Sequence, residues 1–64
     1  MRYSRLFQQH SGEKIKVVMT DGEIFEGELN GYISAADNDP EPESIIVDNT
    51  ELYTNEIEIV EVQG

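Results

Sequence analysis

The densest group of chemically capable side chains lies in one acidic stretch, where Asp37, Asn38, Asp39, Glu41 and Glu43 put five hard oxygen donors within seven residues. Hard oxygens at that density are what Ca²⁺ or Mg²⁺ requires. A helix–loop–helix calcium loop, however, carries acids at alternate positions, a glycine in mid-loop and a distal bidentate glutamate. Here Pro40 and Pro42 replace that flexibility, so the stretch is read as a solvated acidic loop without a metal. Glu26 and Glu28 suggest acid–base chemistry, yet they alternate with Phe25, Gly27 and Leu29 and so face water on a strand. His10 is the single histidine and cysteine is absent, which leaves this chain no zinc site of its own and no disulfide. With no nucleophile–base pair and a core too small for a closed pocket, the expectation is a protein that is not an enzyme and uses no cofactor. Tyr32 and Tyr53 are large amphipathic side chains beside charged loops, an arrangement common at protein interfaces. The competing reading makes both ordinary core aromatics. The candidate interaction surface is therefore Tyr32, Asp37, Asn38, Asp39, Glu41, Glu43 and Tyr53.

The elements that must position these residues start from the stretch Lys14 to Ile33. Two apolar-rich runs flank Asp21-Gly22, a strong hairpin signal because a tight turn needs the positive φ that Gly supplies. Ile15, Val17 and Met19 alternate with polar positions in the first run. In the second, Phe25, Leu29 and Ile33 share a face with Gly27 and Gly31, and glycines there let a long strand bend and let other groups come close. Upstream, Tyr3, Leu6, Phe7 and His10 recur at helical spacing before Gly12, predicting a helix over 3–10 that must dock its apolar stripe to be stable. His10 on that stripe reads as a packed or half-exposed ring. Downstream, residues 34–43 hold two prolines and read as a loop. Short strands over 44–47 and 51–53 follow, then a one-turn connection at 54–56 and a last strand over 57–62. The predicted core is Leu6, Phe7, Ile15, Val17, Met19, Phe25, Leu29, Ile33, Ile45, Val47, Leu52, Ile57 and Ile59. The fold class is mainly β: a short N-terminal helix and a five-strand, strongly bent antiparallel small barrel.

Sixty-four residues form one domain, 1–64, of marginal stability, which makes a homo-oligomer the expectation. The net charge of −10 is unevenly spread: all four basic residues (Arg2, Arg5, Lys14, Lys16) lie in the first 16 positions, and 13 carboxylates with no Lys or Arg occupy 17–64. Nucleic-acid binding needs clustered cations to displace phosphate counterions, so that function is disfavoured. No apolar run reaches the ~20 residues of a membrane span and no signal-peptide pattern opens the chain, so a cytoplasmic location is expected.

The segment from Gly12 to Leu29, GEKIKVVMTDGEIFEGEL, resembles the first motif of the Sm-like (LSm) proteins through Gly12, Val17, Asp21, Gly22, Phe25, Gly27 and Leu29. Other Src-homology-3-like barrels share such a hairpin. The likeness spans the helix and first two strands, about half of the chain, and the rest only in strand order. Gly31-Tyr32 with Asp37 to Glu41 also resembles short acidic proteins of bacteria and their mobile elements. The resemblance implies the small barrel and, in most Sm-like proteins, RNA binding through an Asp and an Asn after the bent strand and a basic residue before Gly between the last two strands. Those positions correspond to Ile33, Asp37 and Tyr53-Thr54-Asn55, with no basic residue. The implied fold is thus separated from the implied RNA site. The expected function is a non-catalytic protein-interaction or regulatory module with a basic protein partner, and the alternative is an RNA-binding Sm-like protein with an altered site.

Overall fold

Asp21-Gly22 turns the chain as its residue types require. In the computed structural model, which describes residues 2–64, Gly22 lies at φ +91°. The Asp21 carboxylate accepts the Glu23 N–H at 2.9 Å, and the Met19 N–H donates to the Glu23 carbonyl at 2.8 Å. This turn joins strand β1 (Lys14–Met19) to strand β2 (Ile24–Ile33). Helix α1 (Tyr3–His10) precedes them; β3 (Ser44–Val47), β4 (Thr50–Tyr53), a 3₁₀ turn (Thr54–Glu56) and β5 (Ile57–Val62) follow. The protein is mainly β, with one short N-terminal helix.

The five strands form an antiparallel sheet in the order β4-β3-β2-β1-β5. Its two edge strands are joined by the 3₁₀ turn alone. In a flat sheet they would stand about 19 Å apart, four spacings of ~4.8 Å, whereas one 3₁₀ turn advances only about 6 Å. The sheet must therefore curl, bringing its edges close, although no ladder between β4 and β5 closes it among the described residues.

The curl is concentrated in β2. Its residues Ile24 to Glu28 pair with β1, and Leu29 to Ile33 lie along β3; no residue pairs with both. At the changeover Leu29 N–H donates to the Glu13 carbonyl at 2.9 Å, and the Leu29 carbonyl accepts Gly12 N–H at 2.8 Å. Glu28 turns the other way, its carbonyl accepting Asp48 N–H at 2.8 Å.

Two register shifts correct the predicted core. Between Leu29 and Gly31 the pairing with β3 slips, so that Tyr32 comes opposite buried Ile45 while Gly31 and Ile33 come opposite Ile46 and Ser44. Tyr32 consequently packs against the core, and Ile33, expected there, is only half-buried. Between Val18 and Met19 the pairing with β5 slips as well. Ile57 faces Met19 and packs inward, but Ile59 comes opposite Val18 and is 49% exposed, while Val60 packs on the core in its place. One extra residue in a strand exchanges its faces, since side chains alternate with period two. The buried core is Leu6, Ile15, Val17, Met19, Leu29, Ile45, Val47 and Leu52, with Tyr3, Phe7, Phe25, Tyr32, Ile57 and Val60 against it. Among the described residues no helix is long and apolar enough to cross a membrane.

Candidate interaction surface

Ser44 explains how the acidic loop is held. Its neighbours Ile45 and Val47 fill the core, yet Ser44 itself is 0% exposed. Its hydroxyl donates to Glu51 Oε2 at 2.7 Å, and the Asn38 side-chain amide donates to the same oxygen at 3.1 Å and to the Pro42 carbonyl at 2.8 Å. The loop is also turned internally: Asn38 N–H donates to the Ser34 carbonyl at 3.0 Å and Glu41 N–H to the Asn38 carbonyl at 2.7 Å. Buried polar groups need such partners, because leaving one unpaired costs its full desolvation.

Glu43 closes the other end of the loop. Its carboxylate accepts the Tyr32 hydroxyl through Oε2 and the Thr54 hydroxyl through Oε1 at 2.9 Å. Its carbonyl accepts Thr54 N–H at 2.9 Å, tying the loop to the 3₁₀ turn. The hydrogen bond to Glu43, then burial, then the negative charges of Glu43 and Asp37 push the Tyr32 phenol above its usual range. Tyr3 on α1 is raised by burial and by the Glu43 charge.

The candidate residues therefore divide. Tyr32, Asn38 and Glu43 are engaged in bonds within the chain. Asp37, Asp39 and Glu41 are exposed, and Tyr53 is half-buried without belonging to the aromatics packed on the core. Burial, then the charges of Glu41, Glu51 and Glu56, raise the Tyr53 phenol. Tyr53 thus sits amid the negative charges of three carboxylates, from the loop, β4 and the 3₁₀ turn.

Beyond Tyr53 the acidic surface continues into an open groove of about 340 Å³ between the Asp21-Gly22 turn and β4. Met19, Phe25 and Leu52 line its apolar part, and Asp21, Glu23, Glu51 and Glu56 its polar part. Glu51 and Glu56 were not in the candidate set. Their signal was weak, because an isolated glutamate in a short strand or turn looks like any other solvated charge. At the opposite end α1 and Val62 enclose a smaller groove of about 260 Å³ lined by Arg2, Arg5, Leu6, Gln9 and His10. The His10 Nδ1 atom lies 3.2 Å from Glu13 Oε2. Among the described residues, no group of three or more acidic, histidine or cysteine side chains is arranged to hold a metal ion.

Asp48, in the β3–β4 turn, takes φ +54°, a left-handed conformation that Asp tolerates better than most residues. Its Oδ1 accepts Glu28 N–H at 2.9 Å, and its carbonyl accepts the Asn30 side-chain amide at 2.9 Å. A Cβ at Gly27 would collide with the Asp48 carboxylate. The close approach expected at Gly27 is therefore made by a side chain that caps the bend of β2. No family model, curated protein or solved structure matches this chain.

Proposed function

We propose that this chain is a non-catalytic interaction module of the Sm-like small-barrel type, acting in the cytoplasm, whose acidic surface engages a basic protein. The observation that carries the reading is the setting of Tyr53, a partly exposed aromatic amid the charges of Glu41, Glu51 and Glu56. An aromatic face with carboxylates around it suits the aliphatic stem and charged head of a lysine or arginine, through cation–π and ionic attraction together. The uneven charge supports the same reading: the surface contributed by residues 17–64 carries 13 carboxylates and no Lys or Arg to meet a phosphate backbone.

The test is affinity purification from native lysate, with and without nuclease, using the wild type beside a Glu41→Lys/Glu56→Lys variant. Recovery of a basic protein that survives nuclease and is lost with the variant supports the reading. Tight binding of uridine-rich RNA by the purified protein at ~150 mM salt overturns it in favour of an RNA-binding protein with an altered site, because four cations supply too little electrostatic affinity.

A further inference from the structure

Helix α1 breaks two local rules at its N-terminus. Arg2 occupies the N-cap without a side-chain cap bond, and no acidic residue stands in the first turn. Asp, Asn, Ser or Thr would satisfy the free N–H groups there, and negative charge would complement the helix dipole. Arg2 and Arg5 place positive charge at the positive end instead. Among the described residues, neither arginine has a carboxylate within 4.0 Å. Local rules broken without a compensating internal contact point to a contact made elsewhere.

The groove beside this turn is lined by buried Leu6 and the 40% exposed Val62 together with the cationic Arg2 and Arg5. Its complement lies on the same molecule: the groove lined by Phe25, Met19 and Leu52 together with Asp21, Glu23, Glu51 and Glu56 has the opposite charge and apolar residues of its own. The two cannot meet within one copy. Val62 pairs with Ile15 at the start of β1, and Ile57 pairs with Met19 at its end. Four residues of strand, about 13 Å, separate them, and they open at opposite ends.

We infer that a second copy of this chain docks head to tail, the Arg2–Arg5 turn of α1 entering the acidic groove between the Asp21-Gly22 turn and the 3₁₀ turn. The occupant follows from charge complementarity, with both halves of the contact present in the chain. Phe25 receives an arginine face, and Glu23 and Glu56 supply the negative charge that the first turn of α1 lacks. The contact is heterologous, so it propagates into a ring or a chain of subunits and does not stop at a symmetric pair. It goes beyond the basic-partner reading and shares Glu56 with it, but uses neither the 37–43 loop nor Tyr53, so a Glu41→Lys variant, which leaves the docking groove intact, separates failure of one from failure of the other. The net charge of −10 opposes any self-association and makes the contact weak.

Charge reversal tests it by sedimentation velocity. The wild type should self-associate with rising concentration. Arg2→Glu/Arg5→Glu and Glu23→Arg/Glu56→Arg should each remain monomeric, because each carries two like-charged surfaces. An equimolar mixture of the two variants should recover association, as an acidic helix turn meets a basic groove. All four positions are exposed, and circular dichroism checks that each variant is folded. Should either variant unfold, dilution of the wild type followed by amide NMR decides, with Arg5 and Glu23 expected to shift together. A wild type that stays monomeric to ~1 mM overturns the inference. So does a mixture that fails to associate, or a Glu23→Arg/Glu56→Arg variant that associates better than the wild type. The last result would show that net repulsion alone governs assembly, as expected if exposed strand edges form the contact.

Discussion

The β1–β2 hairpin and the β3–β4 hairpin are held by different forces. In the first, a tight turn over Thr20, Asp21 and Gly22 and strict alternation of Ile15, Val17 and Met19 place apolar side chains inward, so burial specifies the register. In the second, Ile45, Val47 and Leu52 are buried as well, but strands of four residues each are further positioned by side-chain hydrogen bonds: Ser44 and Asn38 on Glu51, Tyr32 and Thr54 on Glu43, and Asp48 on the backbone of β2. Apolar burial is tolerant of exact geometry, whereas hydrogen bonds depend on distance and angle. The second hairpin should therefore be the more easily disordered by small chemical changes, and the first mainly by loss of volume.

Removing volume where the two hairpins share a core should have the largest effect. Leu29→Ala is expected to cost about 2–5 kcal/mol, comparable with the whole stability of a domain this small, about 3–5 kcal/mol. Leu29 is 0% exposed where β2 changes partners, so urea titration by circular dichroism should show a largely unfolded chain. Gly27→Ala should come next, at about 1–3 kcal/mol, because the new methyl displaces the Asp48 carboxylate. Asp48→Gly in the same chain should recover part of that loss by removing the collision and relieving the positive φ; strictly additive effects would disprove the coupling. Ser44→Ala should cost about 1 kcal/mol and lower hydrogen-exchange protection at the Asn38 and Glu41 amides while leaving β1 unchanged. Equal loss in β1 would show that the hairpins do not differ in the way described.

The smallest effect concerns pH. The raised folded-state pKa of Tyr32 means that the native state holds this phenolic proton more tightly than the unfolded chain does. Its stabilising contribution is complete below the ordinary tyrosine value of about 10 and disappears as pH rises through the folded value. Glu43→Gln removes the charge and weakens the hydrogen bond, so tyrosinate absorbance should show Tyr32 titrating at lower pH than in the wild type. An unchanged titration would show that Glu43 does not restrain Tyr32.

The difference between the hairpins also decides what was legible in the sequence. Helix 3–10, the Asp21-Gly22 turn, the strand over 57–62 and all eight buried apolar residues follow from periodicity and turn chemistry. The faces of Gly31, Ile33 and Ile59 do not, because each lies beyond a register slip and alternation cannot report where a strand gains a residue. Of the candidate surface, the exposure of Asp37, Asp39 and Glu41 was legible in a proline-rich acidic loop. The engagement of Asn38 and Glu43 was not, since their partners Glu51 and Thr54 lie 13 and 11 residues away, and hydrogen-bonding side chains carry no periodic signal. Asp48 was visible only as part of a turn; its cap on β2 spans 20 residues.

The division of β2 between two partners also bears on the order of folding. Residues 24–28 need only a tight turn to find β1, whereas 29–33 must wait for the ten-residue segment 34–43 to close before meeting β3. Short closures precede longer ones at lower entropic cost. The first half of β2 can thus enter the transition state with β1 while the second half is still searching. Destabilising substitutions at Val17 or Phe25 should then slow refolding, and those at Ile45 or Leu52 should chiefly hasten unfolding.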